Sequence, residues 1–171
     1  MPPKLTIGQK IVHQRYGAGT VVGIRKGGSD EEYDHYYVID IPSRELKVHL
    51  PVDSPQDQPL RDLASMTGLD HALDMLSEEP LALPKDYRER QALVSELMTH
   101  GTVRSLARII RDLGARQSCR NISTLESTML ANAKRQLAGE LALAAGIMLP
   151  QAMSRIEKAL VKSHANTPLP S

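Results

Sequence analysis

The sequence predicts an α+β chain of two domains, a small antiparallel β-barrel followed by an all-α helical bundle. Three observations carry that reading. Residues 10–50 hold short runs rich in Val, Ile and Tyr, separated by Gly, Pro and Asp, which is the pattern of brief strands joined by tight turns. Pro51, Pro55 and Pro59 then recur in a polar stretch that reads as an extended connector. Beyond residue 66 apolar residues return every three or four positions, the period of amphipathic helices. The implied organisation is a first domain over 1–55, a linker over 56–66, a helical domain over 67–166 and a flexible tail over 167–171.

In the first domain, strands are expected at 10–13, 18–26, 36–41 and 46–50. Gly17 and Gly19 suit the backbone angles of a tight turn, which other residues avoid. Residues 27–32 form a polar loop, and Leu46 to Leu50 alternates apolar with polar, as a half-buried strand does. Leu60–Ser65 reads as a short helix and Gly68–Leu76 as another, ended near Pro80. Pro84 suits a first helical position, so a helix is expected over 84–100, with Tyr87 in its first turn and Gly101 at its end. Thr102 suits an N-cap, and Val103, Leu106, Ile110 and Leu113 face inward from the helix it starts. Arg104, Arg108 and Arg111 align on another face of that helix. Ser123 with Glu126 matches a capping box ahead of a long helix. A last helix begins at Pro150 and points Met153, Ile156 and Leu160 inward.

Hydrophobic residues make up 41% and charged residues 24% of the chain, ordinary values for a globular protein. Aromatics are scarce, with five Tyr and no Trp or Phe, so the cores must be built from Leu, Ile, Val, Ala and the seven Met. Cys119 is the single cysteine, which excludes an internal disulfide and any cysteine-based metal cluster and fits a reducing cytoplasm. No apolar run approaches the length of a membrane span, and the first residues carry no signal-peptide pattern. The expected location is the cytoplasm. The net charge is only +1, yet residues 84–135 hold 10 Lys/Arg against 5 Asp/Glu. That local excess can attract phosphate.

Catalytic chemistry finds no foothold. The six histidines are scattered without metal-ligand spacing, and Gly17-Ala18-Gly19 is too short for a phosphate loop. Ser105, Ser123, Ser127 and Ser154 fall in helices or caps and not on a nucleophile elbow. The chain therefore reads as a binding protein with no cofactor and no metal. An aromatic at a helix start among cations is equipment that proteins use on the DNA backbone and groove.

Several segments, in order, resemble one family. Gly8-Gln9-Lys10-Ile11-Val12, Tyr16-Gly17-Ala18-Gly19, Tyr36-Tyr37-Val38-Ile39, residues 47–52 and Leu60-Arg61-Asp62-Leu63 are similar to the N-terminal module of the CarD/CdnL transcription regulators. That module also occurs in transcription-repair coupling factor. Leu83-Pro84-Lys85-Asp86-Tyr87, Ile110-Arg111-Asp112-Leu113 and residues 133–144 resemble the family's helical half, so the likeness covers about residues 5–162. It implies an SH3/Tudor-like barrel that docks on the β subunit of bacterial RNA polymerase through Leu46, Lys47, Val48 and His49, helped by Arg25 and Lys26. It also implies a helical domain lying on promoter DNA, largely independent of sequence, at the upstream edge of the transcription bubble. There a family tryptophan wedges into the minor groove and stabilises the open complex. This chain has Tyr87 at the wedge position, with Lys85, Arg88, Arg90, Arg116 and Lys134 in or near the DNA-facing region. The family's Tyr-Pro after the first strand is here His13-Gln14. The expected state is a monomer, associated with the nucleoid through polymerase. The alternative is a polymerase-docking adaptor whose helical domain recruits another protein and leaves DNA untouched.

Overall fold

Alternation of inward and outward residues over five short segments builds the N-terminal sheet. The computed structural model describes residues 4–53 and 59–166. The strands are β1 (Lys10–His13), β2 (Gly17–Lys26), β3 (His35–Ile41), β4 (Leu46–Pro51) and β5 (Leu60–Asp62). They lie side by side in the order β4-β3-β2-β1-β5, every pair antiparallel. Register puts Tyr37, Ile39 and Ile41 of β3 opposite Leu50, Val48 and Leu46 of β4, so these six share a face. That face holds the core of the unit, Ile11, Val21, Tyr37, Ile39, Ile41 and Leu50, against which Leu46, Val48 and Leu60 pack.

Two expectations for this half are corrected. Leu60–Ser65 contains no helix; Leu60–Asp62 is a strand that pairs with the free side of β1, and Leu60 packs on the sheet core. Local helix propensity loses there to an unpaired strand edge and an apolar face to cover. Gly17 adopts φ +101° as expected, but Gly19 lies inside β2 with no such angle. Its requirement is space, because a Cβ there would stand 2.6 Å from the Asp40 carbonyl oxygen. His13 proves to be buried, 5% exposed, and its Nδ1 accepts from the N–H groups of Arg15 (3.1 Å) and Tyr16 (3.3 Å), closing the β1–β2 turn. Burial and then the Arg15 charge hold its pKa below the ordinary histidine value, which keeps that acceptor free of a proton.

The chain divides between Leu63 and Ala64. The second unit is helical: α1 (Met66–Leu76), α2 (Tyr87–His100), α3 (Val103–Cys119), α4 (Thr124–Ala145) and α5 (Leu149–Asn166). Side chains cap four of the starts, with Ser65, Asp86, Thr102 and Ser123 each accepting from a backbone N–H of the first turn. Ser123 and Glu126 form the full capping box expected from their spacing. Gly101 ends α2 in the left-handed conformation at φ +61°. The core of the unit includes Leu69, Leu76, Val94, Leu106, Ile110, Leu113, Leu137, Leu141 and Ile156. Burying each such side chain stabilises by about 1.5–3 kcal/mol. Met75, Met98, Met129 and Met153 line the margin and not the centre. No single described helix is long and apolar enough to cross a membrane.

Here too the structure corrects local rules. The helix expected from Pro84 starts at Tyr87, because Asp86 takes the N-cap and accepts from the Glu89 N–H at 3.0 Å. The aligned arginines of α3 do not form one solvated row: Arg104 is exposed, Arg108 half-buried and Arg111 only 6% exposed. Pro55, part of the expected linker and the expected tail at 167–171 lie outside the described residues.

Candidate interaction sites on the two units

On the sheet, β4 is an edge strand. One side pairs with β3, and the other meets no strand among the described residues. Alternation splits the six polymerase-facing candidates. Leu46 and Val48 turn toward the core, while Lys47 and His49 point outward and are exposed. Arg25 of β2 joins the outward set. Its guanidinium lies 4.4 Å from the ring centre of Tyr36, grips Glu31 in a fork at 2.8 and 2.9 Å, and donates to His49 Nδ1. The Arg25 bond and the Gly28 N–H pull the Glu31 carboxyl down to about 2, so the pair stays ionised. Lys26 is exposed at the end of β2, opposite His35. The link from Arg25 to Glu31 and Tyr36 is not legible in the sequence, since a loop acid and a strand tyrosine give no local sign that one arginine joins them.

On the helical unit, the approach to α2 is pinned by buried charges. Asp112 of α3, 2% exposed, accepts from the Leu81 N–H at 3.0 Å and from its neighbour Arg111 at 2.7 Å. Arg111 in turn reaches Glu78 at 3.3 Å. Arg90, 5% exposed, donates to the carbonyls of Pro84 (3.0 Å) and Lys85 (3.1 Å) and pairs with buried Glu126 of α4. Burial opposes ionisation of Glu126, but bonds from Arg90 and the Ser123 N–H outweigh it and leave the carboxyl below its usual pKa. Arg90 was expected at a DNA surface. In this structure its guanidinium is buried and occupied, so it cannot reach a phosphate without breaking three bonds.

Tyr87 occupies the first position of α2 and is 46% exposed. The Arg90 guanidinium carbon lies 5.6 Å from its ring centre, and Gln91 one turn on donates to its hydroxyl at 3.0 Å. Lys85 and Arg88 are exposed beside it in the chain. Lys85 and Arg116 line one cleft of about 280 Å³ with Leu81, Leu83, Cys119 and Arg120. Burial, then the charges of Arg90 and Arg120, lower the Arg116 pKa, and its buried Nε has no hydrogen-bond partner among the described residues. Lys134 stands apart, tied to Glu157 of α5 at 3.1 Å. The structure thus gathers Lys85 and Arg116 in one cleft with Arg120, which sequence spacing did not single out, while Tyr87 meets Arg90 and Gln91.

Comparison with known proteins bears on what these sites serve. The family described as CarD-like/TRCF RID domain matches residues 5–64, and that described as CarD, C-terminal domain matches residues 71–157, just over half the chain. The chain belongs to the CarD family. The two matches divide near Leu63, where the structure divides, and the sheet agrees with a Tudor-like domain followed by the family's helical domain. CarD-family proteins are transcription regulators, and the N-terminal match is to an RNA polymerase-interacting family. Among curated proteins, the chain is 27% identical over 150 residues to YdeB of Bacillus subtilis (strain 168), named as a candidate transcription factor. The alignment covers 86% of this chain and 97% of YdeB.

Proposed function

We propose that this CarD-family protein docks on the β subunit of bacterial RNA polymerase through β4 and contacts promoter DNA at the upstream edge of the bubble, stabilising the open complex. The observation that carries the proposal is Tyr87. It is a half-exposed ring at a helix start, backed on one side by a buried guanidinium and two residues from Lys85, which lines a cleft with Arg116 and Arg120. A planar side chain held this way can press on a base step while Lys85, Arg88, Arg116 and Arg120 meet phosphates. Lys134, held by Glu157, contributes charge from farther along α4. These cations meet the backbone and not the base edges, so the contact is largely independent of sequence.

On the sheet, the free side of β4 supports docking by strand addition, in which main-chain hydrogen bonds supply affinity. Arg25, Lys47 and His49 flank that edge from the outer face and add side-chain selectivity, while Leu46 and Val48 keep the strand seated on its core. Lys26 extends the positive end of β2. The protein works as a monomer with two contacts, one to the enzyme and one to the duplex.

The test is the lifetime of open complexes formed by bacterial polymerase with the full chain. Tyr87→Ala shortens that lifetime while leaving polymerase binding intact. Unchanged lifetimes on several promoters with unstable open complexes would remove the proposal and leave a docking adaptor. Arg90→Ala is a poor probe of DNA contact, because it strands a buried carboxylate.

A further inference from the structure

We infer that Arg90, clamped by Glu126, is the positioning residue that sets the ring of Tyr87; this rests on the wedge role proposed above. The guanidinium makes four contacts, three of them hydrogen bonds from two of its nitrogens. Nε pairs with Glu126, Nη1 holds the carbonyls of Pro84 and Lys85, and the group as a whole lies 5.6 Å from the centre of the Tyr87 ring. Glu126 is itself fixed, since its other oxygen accepts from the Ser123 N–H at 2.8 Å in the capping box of α4. The chain of contacts therefore runs from the start of α4, through a buried ion pair, to the last two carbonyls before Asp86 and to the ring.

Each link constrains a different freedom of the wedge. The two carbonyl bonds fix the path of residues 84–85 and so the direction in which α2 begins. The cation under the ring favours one face for Tyr87, leaving the opposite face to solvent. Gln91 holds the hydroxyl at 3.0 Å and limits rotation at the tip. A wedge placed in advance loses less side-chain freedom when it meets DNA than one that must be ordered there. A lysine at position 90 keeps the charge for Glu126 but lacks the planar fork that serves several acceptors at once.

The chain contains no tryptophan, so Tyr87→Trp creates a single fluorescent reporter at the wedge. In the full chain, adding Arg90→Lys to Tyr87→Trp lowers the steady-state anisotropy of that reporter, with helix content by circular dichroism unchanged. With native Tyr87, Arg90→Lys shortens the open-complex lifetime roughly fivefold, as Tyr87→Ala does, and the two substitutions together are no worse than Tyr87→Ala alone. If Arg90→Lys does not fold, Arg90→Met with Glu126→Leu removes the buried charges together and is read the same way. Unchanged anisotropy in a folded variant, or additive losses in lifetime, would overturn the inference. If Tyr87→Ala itself changes no lifetime, the wedge role falls, and the anisotropy still decides whether Arg90 sets the ring.

Discussion

The two units treat arginine in opposite ways. In the sheet, Arg25 stays at the surface, where it stacks on Tyr36 and grips Glu31 at a site one-third exposed. In the helical unit, Arg90 and Arg111 are drawn inside, each 5–6% exposed and each bonded to a buried acid. The contrast follows from geometry. A strand residue belongs to one of two faces, and the outer face of β2, β3 and β4 meets solvent. A helix residue is surrounded by neighbours through a wide arc, so a long cation can turn inward if an acid waits there. The lesson is that an arginine count measures attraction for phosphate only after the inward ones are removed.

The comparison can be tested by removing charges on each side of it. The largest effect is expected inside the helical unit. Arg90→Ala or Glu126→Ala leaves its partner charged and buried, which costs about 3–5 kcal/mol and shows as a lower melting transition of that unit. Next comes a test of the sheet by packing alone: Gly19→Ala drives a methyl against the Asp40 carbonyl and destabilises the N-terminal unit by about 1–3 kcal/mol in urea unfolding. Tyr87→Ala follows, with about 1 kcal/mol lost from the open complex and no change in melting. Lys47→Glu on the exposed face of β4 slows association with polymerase a few-fold at low salt, an effect that fades as salt rises and screens the charge.

The smallest effects are those of pH on the sheet. His13 has a folded pKa below its unfolded value near 6.5, so its contribution to stability is complete above that pH and declines as pH falls through the folded value. His13→Gln flattens the dependence of unfolding free energy on pH over that acidic range. Glu31, held at about 2, keeps its tie to Arg25 until pH falls from about 4.5 toward 2.

Much of the fold was legible residue by residue. Strand alternation at Leu46–Leu50, the Ser123–Glu126 capping box, Thr102 as a cap and Gly101 as a stop all appear where short-range rules put them. Those rules describe contacts within one turn or one strand, and such contacts are formed by residues close in sequence. Tyr87 was also legible as the first-turn aromatic, even though Pro84 misplaced the start of its helix.

The rest depended on residues far apart in the chain. Nothing between 60 and 65 announces a strand, because β5 exists only where β1 offers an unpaired edge. Nothing at position 90 announces burial, because its partner lies 36 residues on. Sequence alone determined which residues could carry charge, cap a helix or face a core. Tertiary structure decided which cations face solvent, since the energy of a charge depends on the acids and carbonyls that folding brings to it, and a linear spacing does not contain them.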